Sequence, residues 1–192
     1  MASSNVDIAN SCLKKLGSEK RISSFTEGGK EANAILEQYA KVRDALLRTH
    51  YWNFAKKRVK LARTTDTPVS GYTYEYQLPV DWIRTYAAHA NDAATGQLDY
   101  KPEGDKLLSS VESVYLTYIY QVTDTNLMTT DFREVLAWAL AKDIAVGIAQ
   151  SNTIKEVMTK EYKSALRQAK STDAMDDTPD KFPEGSWVTD RY

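Results

Sequence analysis

The sequence predicts an α+β fold: a four-helix bundle-like body, an inserted small antiparallel β lobe and an extended C-terminal arm. Hydrophobic residues recur at helical spacing near both ends of the chain, but between these regions they alternate with a period of two. The last part of the chain is acidic, rich in turn-forming residues and follows neither period. The predicted boundaries are 1–51 and 127–170 for the helical body, 52–126 for the β lobe and 171–192 for the arm.

Two helices are predicted before the β lobe. The first covers 4–17, where apolar residues lie three or four positions apart and Gly17 is a natural stop. The second covers 30–51. Its apolar stripe consists of Ile35, Tyr39, Val42 and Leu46. Both stripes are expected to face a shared core.

Two more helices are predicted after the lobe. The third follows an N-cap at Thr130 or Asp131, and its alanines allow neighbouring helices to approach closely. The fourth covers about 152–170. Asp and Pro residues oppose its continuation beyond Ser171, so the arm is predicted to begin there.

The β lobe is predicted from four segments. In "YTYEYQLP" the aromatic residues and Leu78 share one face, and "WIRTYAAH" predicts a second strand. The segment "LDYKPEGDKLL" predicts a hairpin that turns near Glu103–Asp105. In "VYLTYIYQV" the residues predicted to share one face are Val114, Leu116, Tyr118, Tyr120 and Val122.

Charge is distributed unevenly, although the net charge is only −1. Residues 41–63 hold eight Lys or Arg and one acid, whereas residues 171–192 hold six acids and two bases. A basic segment and an acidic tail predict electrostatically matched partners, or subunits that meet head to tail.

The stretch "HYWNFAKKRVKLA" (residues 50–62) allows two interpretations. Aromatic rings beside cations are typical of nucleic-acid binding, where bases stack on rings and cations neutralise phosphates. Alternatively, Trp52 and Phe54 pack in the core where the second helix passes into the lobe, and the cations stay in water. We favour the core interpretation. The exposed cations are then Lys56, Lys57, Arg58 and Lys60.

The sequence predicts no catalytic, cofactor-binding or metal site. Two His and one Cys cannot supply the usual zinc ligands, and neither a phosphate-binding glycine loop nor a serine nucleophile motif occurs. Cys12 is expected to be a small core residue, and Asp143 to form a salt bridge at a helix edge. We also expect no signal peptide and no membrane span.

Several segments, taken in order, resemble the tail tubular protein A (head–tail adaptor) family of short-tailed bacteriophages. The first helix ends in "LG" and is followed by "ISSFTEGGKEA". Next come "YAKVRDALLRTHYWNFAKKRVKLA", "YEYQLPVDWIR" and "YIYQVTDTNLMTTDFREVLAWALAKDIAVGI". The terminal "GSWVTDR" also fits, so the resemblance covers nearly the whole chain.

The resemblance implies a structural virion protein, assembled in the host cytoplasm and located at the head–tail interface. Such proteins form a ring, normally twelvefold, between the portal protein and the tail nozzle protein. The ring extends the channel through which double-stranded DNA passes without sequence-specific binding. The arm is expected to contact the portal through Phe182, Trp187, Arg191 and Tyr192. The basic residues Lys56, Lys57, Arg58 and Lys60 are expected at a subunit or nozzle interface, or in the channel.

Two other functional classes remain open. One is a helical nucleic-acid-binding or regulatory module that uses residues 41–63. The other is an enzyme, such as a wall-degrading hydrolase, in which carboxylates perform acid–base catalysis. Strong salt-dependent affinity for DNA would indicate the first, and loss of an activity on replacing one carboxylate would indicate the second.

Overall fold

The computed structural model describes residues 4–94 and 98–177. Along the chain, two helices precede a β region and two follow it. Helices α1 (Asn5–Lys15) and α2 (Lys30–Arg48) come first, and a single 3-10 turn, Asn53–Ala55, leads into the β region. The strands are β1 (Lys56–Lys60), β2 (Tyr74–Gln77), β3 (Trp82–His89), β4 (Tyr100–Glu103), β5 (Lys106–Ser109) and β6 (Tyr115–Tyr120). Helices α3 (Thr130–Ala149) and α4 (Asn152–Met175) follow. The predicted α+β class is therefore confirmed.

Short polar side chains start three of the helices. The Ser4 hydroxyl accepts a hydrogen bond from the Asp7 backbone N–H, and the Asp7 carboxylate accepts one from the Ser4 backbone N–H. Helix α3 is capped in the same way by Thr129, so the predicted N-cap at Thr130 or Asp131 was wrong. Asp131 lies in the first turn instead, where the helix dipole favours a negative charge. Ser151 caps α4.

Helix α3 is the central helix of the described structure. It contacts α1, α2 and α4. Buried residues, including Phe132, Leu136 and Leu140, lie around most of its circumference, as expected for a largely apolar central helix, whereas Glu134 and Asp143 are exposed. Cys12 of α1 is buried in the same core, as predicted, and burial raises the pKa of its thiol to about 12.

Two of the predicted helix ends were wrong. Helix α2 ends at Arg48 rather than residue 51, because the Thr49 backbone N–H and hydroxyl both turn back to the Leu46 carbonyl. Helix α4 continues to Met175, beyond the predicted end near 170. Asp173, which falls in this extra turn, is buried in the protein.

The strands form two antiparallel three-stranded sheets. The first sheet has the order β1–β6–β3, and the second has the order β2–β5–β4. The predicted hairpin is confirmed by β4 and β5, which pair from Tyr100↔Ser109 to Glu103↔Lys106, with Gly104 at φ +62° in the turn. Strand β3 pairs with β6 through two register shifts, so its side chains do not alternate regularly.

A second core lies between the two sheets. It contains Tyr76 and Leu107 from the second sheet and Leu116 and Tyr118 from β6. The alternation predicted for β6 is confirmed at Leu116 and Tyr118, which are buried. Ile119 lies on the other side of β6 and is buried in the helical core. Strand β6 therefore contributes to both cores and ties the sheets to the helices.

None of the helices within residues 4–94 and 98–177 is both long enough and apolar enough to cross a membrane.

Candidate interaction surface

The aromatic residues after α2 join the helices to the first sheet. Trp52 is fully buried, and its indole N–H donates to the Leu46 carbonyl at 3.2 Å. Its ring meets the Phe132 ring edge-on at 5.1 Å between centroids, and the Phe54 ring lies 4.9 Å from the same ring. The core interpretation of Trp52 and Phe54 is therefore confirmed, because the rings that a base would need are occupied by Phe132.

A buried carboxylate holds the end of α4 against this junction. The Asn53 backbone N–H donates to Asp173 Oδ1 at 3.1 Å, and the Asn53 side-chain amide donates to the Asp173 carbonyl at 2.6 Å. His50 Nε2 lies 3.1 Å from Asp173 Oδ2. Sequence reasoning missed this contact, because it placed residue 173 in the arm.

Strand alternation separates the four predicted basic residues. Lys56, Arg58 and Lys60 lie on the face of β1 that points away from the second sheet. Lys57 pairs in register with Tyr118, and Val59 pairs with Leu116, so these positions share the face that packs toward the second sheet. The side chain of Lys57 is therefore directed away from those of Lys56, Arg58 and Lys60.

Lys57 belongs to a small polar network. Its ammonium lies 2.8 Å from Asp81 Oδ2, and the Tyr118 hydroxyl donates to Asp81 Oδ1 at 2.8 Å. Partial burial raises the pKa of Asp81, but the hydrogen bonds from Lys57 and Tyr118 outweigh it, so the pKa lies below its ordinary value. The hydrogen bond from Lys57 to Asp81 raises the pKa of Lys57 in turn. This network fixes the start of β3 against β1 and β6.

Asp81→Asn is expected to lower the free energy of unfolding by about 1–2 kcal/mol near neutral pH, since hydrogen bonds to a charged group are lost. Because the folded-state pKa of Asp81 is depressed below 3.8, this contribution is present above that value and is lost as pH falls through the folded-state pKa. Urea unfolding at about pH 7 and about pH 3 should show the difference between the two proteins shrinking on acidification. The exposed carboxylate Asp92, replaced by Asn, is the matched control. A loss that is equal at both pH values would contradict the assignment.

The outer face of the first sheet carries the remaining basic residues. We call the following set the outer basic face: Lys56, Arg58 and Lys60 on β1, Tyr115 and Thr117 on β6, and Tyr86, Ala87 and His89 on β3. An open groove there is lined by Lys56, Lys57, Arg58, Tyr86, Ala87, His89, Ala94 and Thr117, together with Asp177. The face is solvated rather than covered by the second sheet.

Lys56 is the best-anchored cation of the outer basic face. Its ammonium lies 2.7 Å from Asn53 Oδ1, 3.0 Å from Asp177 Oδ2 and 4.7 Å from the centre of the Tyr86 ring. Arg58 and Lys60 are exposed, and neither forms an ion pair with another residue of the described part of the chain. Lys60 lies 5.4 Å from the Tyr115 ring.

A structural role accounts for part of this charge. Strand β1 is an edge of the first sheet, and lysines on an edge strand discourage pairing with another chain. That role requires charge along the edge. It does not explain why the end of α4 brings Asp177 to the same groove.

The structure brings together residues that sequence reasoning did not combine. Tyr86 is on the outer basic face because of the irregular pairing of β3, and Asp177 reaches the groove because α4 is longer than predicted. The predicted arm residues Phe182, Trp187, Arg191 and Tyr192 lie outside the described residues.

Within the described ranges, no three His, Cys, Asp or Glu side chains are grouped so that they could hold a metal ion. No protein-family model and no curated protein matches this chain.

Proposed function

We propose that this chain is a structural virion protein of a short-tailed bacteriophage, a head-to-tail adaptor that forms a ring between portal and tail nozzle. The observation that carries the proposal is that residues of the family-like motifs form contacts between the helices and the sheets. Trp52, Asn53 and Asp81 all belong to the quoted motifs, and all three are engaged in contacts that hold the helices and sheets together. Motifs whose residues stabilise the fold, rather than form a catalytic site, suit a structural protein.

The finer architecture belongs to the same proposal. The four helices form a bundle-like body, the two sheets form the inserted lobe, and the chain beyond Asp177 is an arm that contacts the portal. Phe182, Trp187 and Tyr192 are the apolar anchors of that arm, and Arg191 supplies a charge-assisted hydrogen bond. The acids Asp180 and Glu184 steer the arm toward a basic partner surface.

The outer basic face suits a protein partner better than the DNA channel. Each Lys or Arg that contacts a phosphate adds affinity, so a ring of such faces would hold DNA that must pass freely. We place Arg58 and Lys60 against acidic groups of a neighbouring subunit or the nozzle. Lys57, which is paired with Asp81, contributes little to such an interface.

A second candidate function is non-specific nucleic-acid binding. The observation in its favour is that Lys56, Arg58 and Lys60 share one face with Tyr86 and Tyr115, an arrangement typical of a single-strand binding surface. It predicts an affinity for oligonucleotides that falls steeply with salt and is lost in Arg58→Glu.

The decisive experiment mixes the purified chain with the portal protein of the same phage. We expect the free chain to be a monomer by light scattering, and we expect rings in negative-stain images once portal is added. Deleting residues 178–192 should abolish portal binding while circular dichroism and melting stay unchanged. Trp187→Ala should weaken binding by roughly 2 kcal/mol, and Thr189→Ala should leave it nearly unchanged. Undiminished portal binding by the truncated chain would contradict the role given to the arm.

A further inference from the structure

The described chain ends inside the groove of the outer basic face. Asp177, the last described residue, lies with its carboxylate 3.0 Å from the Lys56 ammonium. Lys56 is itself fixed by Asn53 and is only 22% exposed. Helix α4 is anchored one turn earlier by Asp173. The point at which the chain continues toward residue 178 is therefore held beside β1.

The next residues match the groove in charge. The segment "TPDKFPE" (residues 178–184) contains Asp180 and Glu184, with one lysine between them. The cations next along β1 are Arg58 and Lys60, which have no ion-pair partner among residues 4–94 and 98–177. Each proline also biases the residue before it toward an extended backbone, the conformation that suits a sheet face.

The distances allow this segment to follow β1. Positions two residues apart on one strand are about 7 Å apart, so Arg58 lies about that far beyond Lys56. Three residues of extended chain reach up to about 10 Å, which is enough for Asp180 to approach Arg58 from a fixed Asp177. With the same spacing, Phe182 comes level with Lys60.

We propose that residues 178–184 of this chain dock on the outer basic face of their own molecule, with Asp180 paired to Arg58 and Phe182 beside Lys60. Docking within one molecule is favoured over docking on a second copy, because Asp180 follows Asp177 by only three positions. So short a tether gives a local concentration in the millimolar range. Docking would also regulate portal binding, because it holds the residues that precede Trp187 on the body of the protein. This regulatory role rests on the proposed function. The docking itself does not depend on that function.

The docked state is suited to release. Ion pairs between exposed side chains are weak and are screened by salt, so a partner that offers a better surface can displace the segment. The outer basic face and the arm would then become available together.

A disulfide trap tests the docking in the full-length chain. Lys60→Cys combined with Phe182→Cys leaves the Asp180–Arg58 pair intact, and a bond forms only if the two Cα atoms come within about 7 Å. Oxidised glutathione should then produce a monomer with an internal disulfide, seen by non-reducing electrophoresis and intact mass. The native Cys12 does not interfere, because it is buried and its thiol pKa is raised to about 12.

Matched variants determine what a positive result means. Glu103→Cys with Phe182→Cys places the first thiol on the exposed end of β4, in the second sheet, and should close at least about tenfold more slowly than the test pair. Adding Arg58→Glu to the test pair should reduce closure to that control rate. Equal rates for the test and control pairs would overturn the proposal. Covalent dimers whose yield rises with protein concentration would also overturn it, in favour of docking on a second copy.

Portal binding by the trapped monomer separates the two proposals. If the segment controls the arm, the oxidised protein should bind portal at least about tenfold more weakly than the same protein after reduction, since its bound conformation is withheld. Equal binding before and after reduction would overturn the regulation of portal binding by this segment, while leaving the docking in place. If the trap closes but no form binds portal, the docking stands and the adaptor function fails.

Discussion

Trp52→Ala is expected to lower the free energy of unfolding by about 3–5 kcal/mol, the range for truncating a large buried aromatic side chain. The Trp52 ring is fully buried, contacts Phe132 and carries a hydrogen bond to the end of α2. Its removal leaves a cavity where the helices meet the first sheet. Urea unfolding followed by circular dichroism measures the loss.

Arg58→Ala is the control for this prediction. Arg58 lies in β1, shortly after Trp52 in the sequence, but its side chain is exposed. Its replacement should therefore change the free energy of unfolding by less than about 0.5 kcal/mol. An unfolding curve left unchanged by Trp52→Ala would contradict the contribution to stability assigned to this ring.

Asp173→Ala is expected to lower the free energy of unfolding by about 2–3 kcal/mol, because the half-buried Asn53 N–H loses its charged, buried acceptor. Asp173→Asn should cost less, since the amide oxygen can still accept that bond. Asp176→Ala removes an exposed acid of the same segment and is the matched control. Thermal and urea unfolding of the three variants provide the measurement.

Truncations extend the same prediction. Removing residues 171–192 deletes Asp173 and should destabilise the protein at least as much as Asp173→Ala. Removing only residues 178–192 should not. The prediction that all of residues 171–192 form an arm separate from the body is wrong for 171–175, which belong to α4. Equal stability of the two truncated chains would contradict the role assigned to Asp173.

The sequence predicted correctly those elements that are determined by neighbouring residues rather than by tertiary contacts. Strand β3 was predicted at its observed bounds, and the β4–β5 hairpin was predicted at its turn, because strand-forming residues and turn residues are local features of the sequence. The cap of α3 was missed by one or two residues, since Thr129, Thr130 and Asp131 are all competent N-caps. Tertiary contacts choose among such equivalent candidates.

The end of α4 could not be predicted for a similar reason. No glycine or proline stops the helix at Ser171, and the extra turn is held by a contact between Asp173 and Asn53, 120 residues apart. The candidate surface depended on the same fact, because Asp177 reaches the groove only if the helix continues. The separation of Lys57 from Lys56 and Arg58, by contrast, follows from strand alternation and was available from the sequence.

The helical core is discontinuous along the chain, and this affects how the protein folds during synthesis. Helices α1 and α2 lie before the β strands, whereas α3, which packs on both, begins only at Thr130. At about 5–20 residues per second, the ribosome needs on the order of ten seconds to make the chain between them. Ile35, Leu46 and Leu47 therefore remain without their partner helix during that time. The β4–β5 hairpin can form locally, but the first sheet cannot be completed until β6 is made, because Lys56 pairs with Ile119. The nascent chain is a candidate chaperone client until α3 has left the ribosome.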